Sequence, residues 1–482
     1  MIDRIGMDRQ DGMRLRTTGS RSARLLPPAS SPYLRPVVIG FASGAFLALM
    51  GLLAMHSLGS PTTAQIENCT VTAGVARDKR IEACTAVIAG RRTSLALRSS
   101  ALIRRADLLS AEGRHEQAMK DYEAALQSGQ NAPVAHNGLG LVHMAMGENR
   151  KAVASFSRAI ELDPKFGVAI RNRGRAHLAA GQYEEALRDL NNVVALDPST
   201  TSYADRGLAY LEQGNLERAS HDFTKAIQLE PKNLAAYLGR GKAYRRQQIM
   251  PLALADFEWA VNLAPASTAA LNARGEALYQ MGDYDRAIQD LTAALGHDPN
   301  FAEALNNRGA AYQMKGQLDL ALKDLDRALE LDPQYVAALE TRAYVHAGRR
   351  SYERALADLD RGLQLRPNDA TMLNNRCWIR ALVGQLSEAI QDCTISLEAR
   401  PGSAATFDSR AFAYFKAGMA AQAIADYDAS LALKPQHALS LYGRGQAKLL
   451  AGRAAEGNAD IESAVRINPQ AAAEFQSLVG NN

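Results

Sequence analysis

The chain has 482 residues, of which 47% are hydrophobic, 22% charged and 6% aromatic. That balance can bury a core and excludes a disordered polyelectrolyte; frequent Ala and Leu beside few aromatics favour helices packed through small side chains over a β-sandwich. The net charge of +4 sits wholly in residues 1–36, which hold seven Arg and three Asp, so the remainder is neutral and lacks the basic excess that points to nucleic acid.

In chain order, residues 1–36 form a basic head whose second half, rich in Ser, Thr and Pro, reads as a disordered lead-in. Val37 to Met55 is an uncharged run of 19 residues. As a helix it spans about 28 Å, close to a bilayer core. With Arg on its N-terminal side, the positive-inside rule leaves 1–36 in the cytoplasm and exports the rest. A single-pass anchor is the expectation. A signal peptide cleaved near Ala64, after the small residues Thr62 and Thr63, stays open, as does a buried helix of a cytosolic protein. Met7 and Met13 are alternative starts that shorten the head without changing this reading.

Further along, the sequence repeats itself. Pro recurs at 164, 198, 231, 265, 299, 333, 367, 401, 435 and 469, at intervals of 34 and once of 33. In the unit 302–335, Gly309 stands at position 8, Tyr312 at 11, Gly316 at 15, Ala321 at 20, Ala328 at 27 and Pro333 at 32. Apolar residues spaced by three and four predict two amphipathic helices per unit. Gly at position 15 ends the first helix and Pro at 32 stops the second. Small residues at 8, 20 and 27 let the helices approach closely. Eleven units are expected, at 99–132, 133–166, 167–199, 200–233, 234–267, 268–301, 302–335, 336–369, 370–403, 404–437 and 438–471, followed by a capping helix in 472–482. Ahead of them, 65–98 reads as a shortened half-repeat, because Ile81-Glu82-Ala83-Cys84-Thr85 echoes Ile390-Gln391-Asp392-Cys393-Thr394.

This pattern resembles the tetratricopeptide repeat (TPR) over about three quarters of the chain. The resemblance implies an all-α, right-handed solenoid of helix pairs with a concave groove, each unit stabilised by its neighbours, in place of the roughly three domains that length alone suggests.

One feature departs from the family pattern. Position 7, usually Leu, is Arg in ten units, and position 23 is Asp in the same ten, as in Arg308 with Asp324 and Arg376 with Asp392. The unit 133–166 lacks both, with Leu139 and Ser155. Sixteen residues across a helical hairpin can set two side chains face to face, so an Arg–Asp ladder is expected, within or between units. It reads as an ion-pair network fixing register; binding of an anionic partner by some of these Arg is the alternative. Cys377 and Cys393 have the same separation, and Cys69 and Cys84 lie fifteen apart. In an exported chain two local pairs suggest two disulfides, with buried free thiols as the alternative reading. Zinc is not expected: there is no CxxC and no His nearby in sequence.

No phosphate-binding, HExxH, GxSxG or dinucleotide signature occurs, so neither an enzyme nor a cofactor is expected. His143, His177 and His346 occupy position 11, a packing position. The resemblance implies that positions 2, 5, 6, 9, 12 and 13 of the first helices line the groove. Asn137, Asn272, Asn306 and Asn374 stand at position 5, and Asn172, Asn307 and Asn375 at position 6; this resembles a partial asparagine ladder able to pair with a peptide backbone. The expected function is a non-enzymatic scaffold that holds a protein or peptide segment in the groove, in the periplasm of a bacterial cell, anchored in the inner membrane through 37–55. The alternative is binding of an envelope glycan or exported polysaccharide, with Trp378 and Tyr279 as sugar-stacking candidates.

Overall fold

A computed structural model describes residues 60–70 and 74–480. Val37–Met55 lies outside the described residues. Among these there are 25 α-helices and no strand, and no helix is long and apolar enough to cross a membrane.

The unit 302–335 shows how the repeat builds its hairpin. Its first helix runs Ala302–Met314 and its second Leu318–Leu331. The second buries Ala321, Leu325, Ala328 and Leu329 along one stripe. Between the helices Gly316 takes φ 72°, the left-handed conformation that costs glycine little. The N–H of Gln317 then donates to the Tyr312 carbonyl at 2.9 Å and that of Gly316 to Gln313 at 2.9 Å, which closes the helix end. Position 15 has positive φ in all eleven units. Nine are glycines, at φ 72–92°; Gln248 and Arg350 are forced to φ 67° and 59°. At position 8, a Cβ added to Gly309 would stand 2.9 Å from Leu325 Cγ, so the missing side chain sets how closely the two helices pack.

The eleven helix pairs fall where the period places them, with two differences. The first pair begins at Leu95, four residues ahead of 99, because Ser94 caps that helix by accepting from the Leu97 N–H. The residue missing from 167–199 comes out of the connection between units: only Asp197, Pro198 and Ser199 separate Tyr183–Leu196 from Thr200–Gln213, and Ser199 caps the latter. Upstream, a short helix Thr63–Thr70, which starts two residues ahead of 65–98, and a longer one Arg77–Ala89 are joined by a Cys69–Cys84 disulfide. At the other end the capping helix is Ala471–Val479. The described helices group into two units, one ending at Ile249 and one starting at Met250.

The Arg and Asp of positions 7 and 23 meet. In nine units Arg Nε and Nη2 donate to both oxygens of the Asp sixteen residues on, at 2.6–3.0 Å. The Asp side chains are 2–12% exposed and the Arg 17–26%. The third nitrogen, Nη1, reaches back to position 25 of the preceding unit: Arg173 to Ser157, Arg206 to Asn191, Arg308 to Thr292, Arg376 to Asp360 and Arg444 to Asp428. One guanidinium thus ties the two helices of its own unit together and fastens them to the unit before. A bridge between Cys377 and Cys393, with Cα atoms 5.5 Å apart, repeats the first of these ties covalently beside Arg376 and Asp392.

Candidate partner groove

The asparagines of positions 5 and 6 lie on the first helices of their units and are largely buried, Asn172 at 5%, Asn307 at 6% and Asn375 at 7% exposure. The structure joins them in pairs. Asn172 Nδ2 donates to Asn137 Oδ1 at 2.9 Å, and Asn307 Nδ2 to Asn272 Oδ1 at 3.0 Å. In each pair the position-6 amide of one unit serves the position-5 amide of the unit before. Asn272 continues the chain by donating to Glu303 Oε1 at 3.0 Å. Part of the hydrogen-bonding capacity expected to face a ligand is therefore spent between units. Asn375 is not joined to these pairs; it follows Asn374 in the helix Ala370–Leu382.

Two candidates for sugar stacking are placed differently from the expectation. Trp378 is 3% exposed, its ring 5.1 Å from that of Phe412. Tyr279 is 6% exposed and meets Tyr284 at 5.6 Å. Both spend their ring faces on protein neighbours. Around Trp378 the core continues into the helix Ala471–Val479: Phe475 packs against Phe412, Phe415 and Tyr442 with ring centroids 5.3–5.8 Å away. The position-11 histidines pack: His143 and His346 are buried, and His143 and His177 bond Glu148 and Gln182 at 2.8 Å. Among the described residues no cluster of three or more His, Cys, Asp or Glu is arranged to hold a metal ion.

Sequence reasoning passed over the carboxylates that share the asparagine row. Position 5 is Glu340 in the unit 336–369 and Asp408 in the unit 404–437. Burial, reinforced by Asp369 and opposed by Arg366 and Arg400, pushes the Glu340 carboxyl up to about 7. Burial also raises Asp408, against His437 and a hydrogen bond from Ser440. Ser440 donates to Asp408, and His437 Nδ1 bonds the same hydroxyl at 2.6 Å. The serine is the middle member of this chain and is fully buried, so it is no nucleophile; in a catalytic triad the imidazole stands between. The signal available in the sequence was the row itself: Asn272, Asn306, Glu340, Asn374 and Asp408 fall on one period.

Profiles of the tetratricopeptide repeat match residues 99–128, 133–166, 168–200 and 302–335, and a TPR repeat profile matches 207–248 and 275–316. No curated protein matches the sequence. Among solved structures, the chain is similar to the APC/C hetero-tetramer Cut9–Hcn1, at 14% identity over 77% of this chain and 83% of that one, with a TM-score of 0.51. It is also similar to a tetratricopeptide repeat protein from Parabacteroides merdae, at 20% identity over 51% and 98% with a TM-score of 0.45. A third is YrrB, a TPR protein with an unusual peptide-binding site, at 26% identity over 41% and 99% with a TM-score of 0.32. A period of thirty-four residues, helix pairs turned at position 15 and these profile matches show that the matched part of the chain is built of tetratricopeptide repeats.

Proposed function

We propose that this chain is a non-enzymatic scaffold that holds an extended or helical segment of another protein against the first helices of its repeats. Tetratricopeptide-repeat proteins act in general as protein-interaction scaffolds. The observation that carries the reading for this chain is the row of amides and carboxyls at positions 5 and 6, which recurs from unit to unit on the first helices. Amides in a row can pair with a backbone whatever its side chains. A glycan would need a free ring face, and Trp378 and Tyr279 offer none.

The scaffold would stand on the extracytoplasmic side of a bacterial inner membrane, held by 37–55. Two features support that location: the Arg-rich head before the apolar run, and two bridged cysteine pairs of a kind that persists in oxidising compartments. The test is affinity capture from an envelope extract with the full chain, in parallel with a variant carrying Asn172→Ala, Asn307→Ala and Asn375→Ala. A protein retained by the first bait and lost by the second establishes the groove. A partner retained equally by both refutes it.

A further inference from the structure

The asparagine pairs follow a rule that breaks at two places. A position-6 Asn donates to the position-5 acceptor of the unit before, as Asn172 does to Asn137 and Asn307 to Asn272. The residue due to serve Asn306 is Thr341, but its hydroxyl donates to the Ala337 carbonyl of its own helix at 2.8 Å. The residue due to serve Asn374 is Ser409, which likewise turns back to Ala405 at 2.9 Å. Asn306 Oδ1 and Asn374 Oδ1 are in consequence both buried and both without a partner. A buried acceptor stripped of water and given no donor carries a desolvation penalty, and native structures rarely hold two of the same kind in register.

Carboxyl groups outnumber cations around the two gaps. Glu340 stands at position 5 between them, and Asp408 at position 5 of the unit after Asn374. Glu303 and Glu276 lie near Tyr335, whose hydroxyl is pushed up by burial first and by these two carboxylates after it. Arg366 and Arg400 act against Glu340, with Arg400 already bonded to Thr371, and the His437 ring lies 4.0 Å from Asp408. Acceptors and carboxyls in this order repel phosphate and suit N–H donors, best of all charged ones.

We infer that the notches at Asn306 beside Thr341 and at Asn374 beside Ser409 are donor-binding subsites, which take ammonium or amide N–H groups from a basic, extended segment of a partner protein. The inference rests on the groove reading above and specifies its partner. Thr341 and Ser409 leave unserved the acceptors that an Asn side chain serves elsewhere in the row, and the incoming donor completes the ladder there.

The test uses the full chain and three labelled peptides, alternating Ala-Lys, Ala-Gln and Ala-Glu, followed by fluorescence anisotropy. The Ala-Lys peptide is expected to bind tightest and Ala-Glu weakest. Thr341→Asn with Ser409→Asn supplies the missing donors from within; it should weaken Ala-Lys binding by about tenfold or more while the melting temperature holds or rises. Asn306→Leu with Asn374→Leu removes the acceptors at similar size and should weaken the same peptide, so a folding defect in one variant does not decide the matter. Ala-Lys binding that both variants leave unchanged, or Ala-Glu binding as tight as Ala-Lys, overturns the inference. The groove reading survives that outcome if the bound peptide is lost in the Asn172, Asn307 and Asn375 variant. If none of the three peptides binds and no partner is captured, both fall together.

Discussion

The unit 133–166 is a natural control for the Arg–Asp ties, because it has Leu139 and Ser155 where its neighbours have the pair. Writing that solution into the unit 302–335 separates what the pair contributes from what breaking it costs. In Arg308→Leu the Asp324 carboxylate, with 7% of its side chain exposed, loses both N–H donors at once. Removing one partner of a buried pair in this way costs about 3–5 kcal/mol. In Asp324→Ser the guanidinium is more exposed, at 18%, and keeps its bond to Thr292, so about 2 kcal/mol is expected from the lost charged hydrogen bonds. The double variant leaves no orphaned charge and should sit within about 1 kcal/mol of the native chain, less harmful than either single change. The cycle then gives a coupling of at least about 4 kcal/mol.

A repeat array need not unfold as one body, so a single midpoint is not enough. Urea unfolding followed by circular dichroism should be paired with amide exchange of 302–331, which reads the unit itself. If the double variant is as unstable as the sum of the singles, Arg308 and Asp324 act independently and the reasoning is wrong.

Four further outcomes are expected. Glu340 has a folded pKa of about 7 against an ordinary value of 4.5, so between those values the native state holds the proton that the unfolded chain releases. Its contribution therefore falls as pH rises through that window, and Glu340→Gln should raise the melting temperature at pH 8 but not at pH 4; an equal effect at both contradicts the burial argument. Phe475→Ala should cost about 3 kcal/mol locally and release the helix Ala471–Val479, seen as fast exchange of its amides with the helices before it still protected. Unfolded without reductant, the purified chain should show no reactive thiol, and Cys377→Ser with Cys393→Ser should lower stability by about 3 kcal/mol through the freed fifteen-residue loop; four reactive thiols in chain taken from envelope would argue against an oxidising compartment. Gln248→Gly should stabilise its turn by about 1 kcal/mol, since φ 67° penalises a side chain with a Cβ; a loss of stability would mean that the Gln248 side chain outweighs its strain.

What the sequence made legible is what every unit needs. Arg308 and Asp324 could be paired from their separation because a helical hairpin of fixed length brings positions 7 and 23 together wherever it occurs. The reach of the same Arg to the unit before was not read, since position 25 is Thr292, Asp326 or Asn191 in different units and keeps its hydrogen-bonding capacity while changing its identity. Trp378 was read by position as a groove aromatic. Its ring instead packs on Phe412 of the next unit, in a core that also takes in Phe475, and position within one unit does not show that cover. The asparagines were found, but their mutual bonds span thirty-five residues and exist only once neighbouring units are stacked.

These successes and failures follow from how the repeat divides its work. The second helices, which carry Asp324, Asp392 and their equivalents, repeat one solution, because each must close its own hairpin and accept the next. The inner row does not: Asn272, Asn306, Glu340, Asn374 and Asp408 occupy one structural position with three side chains, answered from position 6 by Asn307, Thr341, Asn375, Ser409 and Gly443. Identical packing demands would have produced identical residues there, as they did for the Arg beside that row on the same helices and for the Asp that faces it. Variation within a shared geometry is what a recognition surface requires, since each unit then presents a different donor or acceptor to a different part of one ligand. The two unpartnered oxygens sit in that variable row and not in the invariant one, which is where a ligand, and not the fold, would be expected to complete the hydrogen bonding.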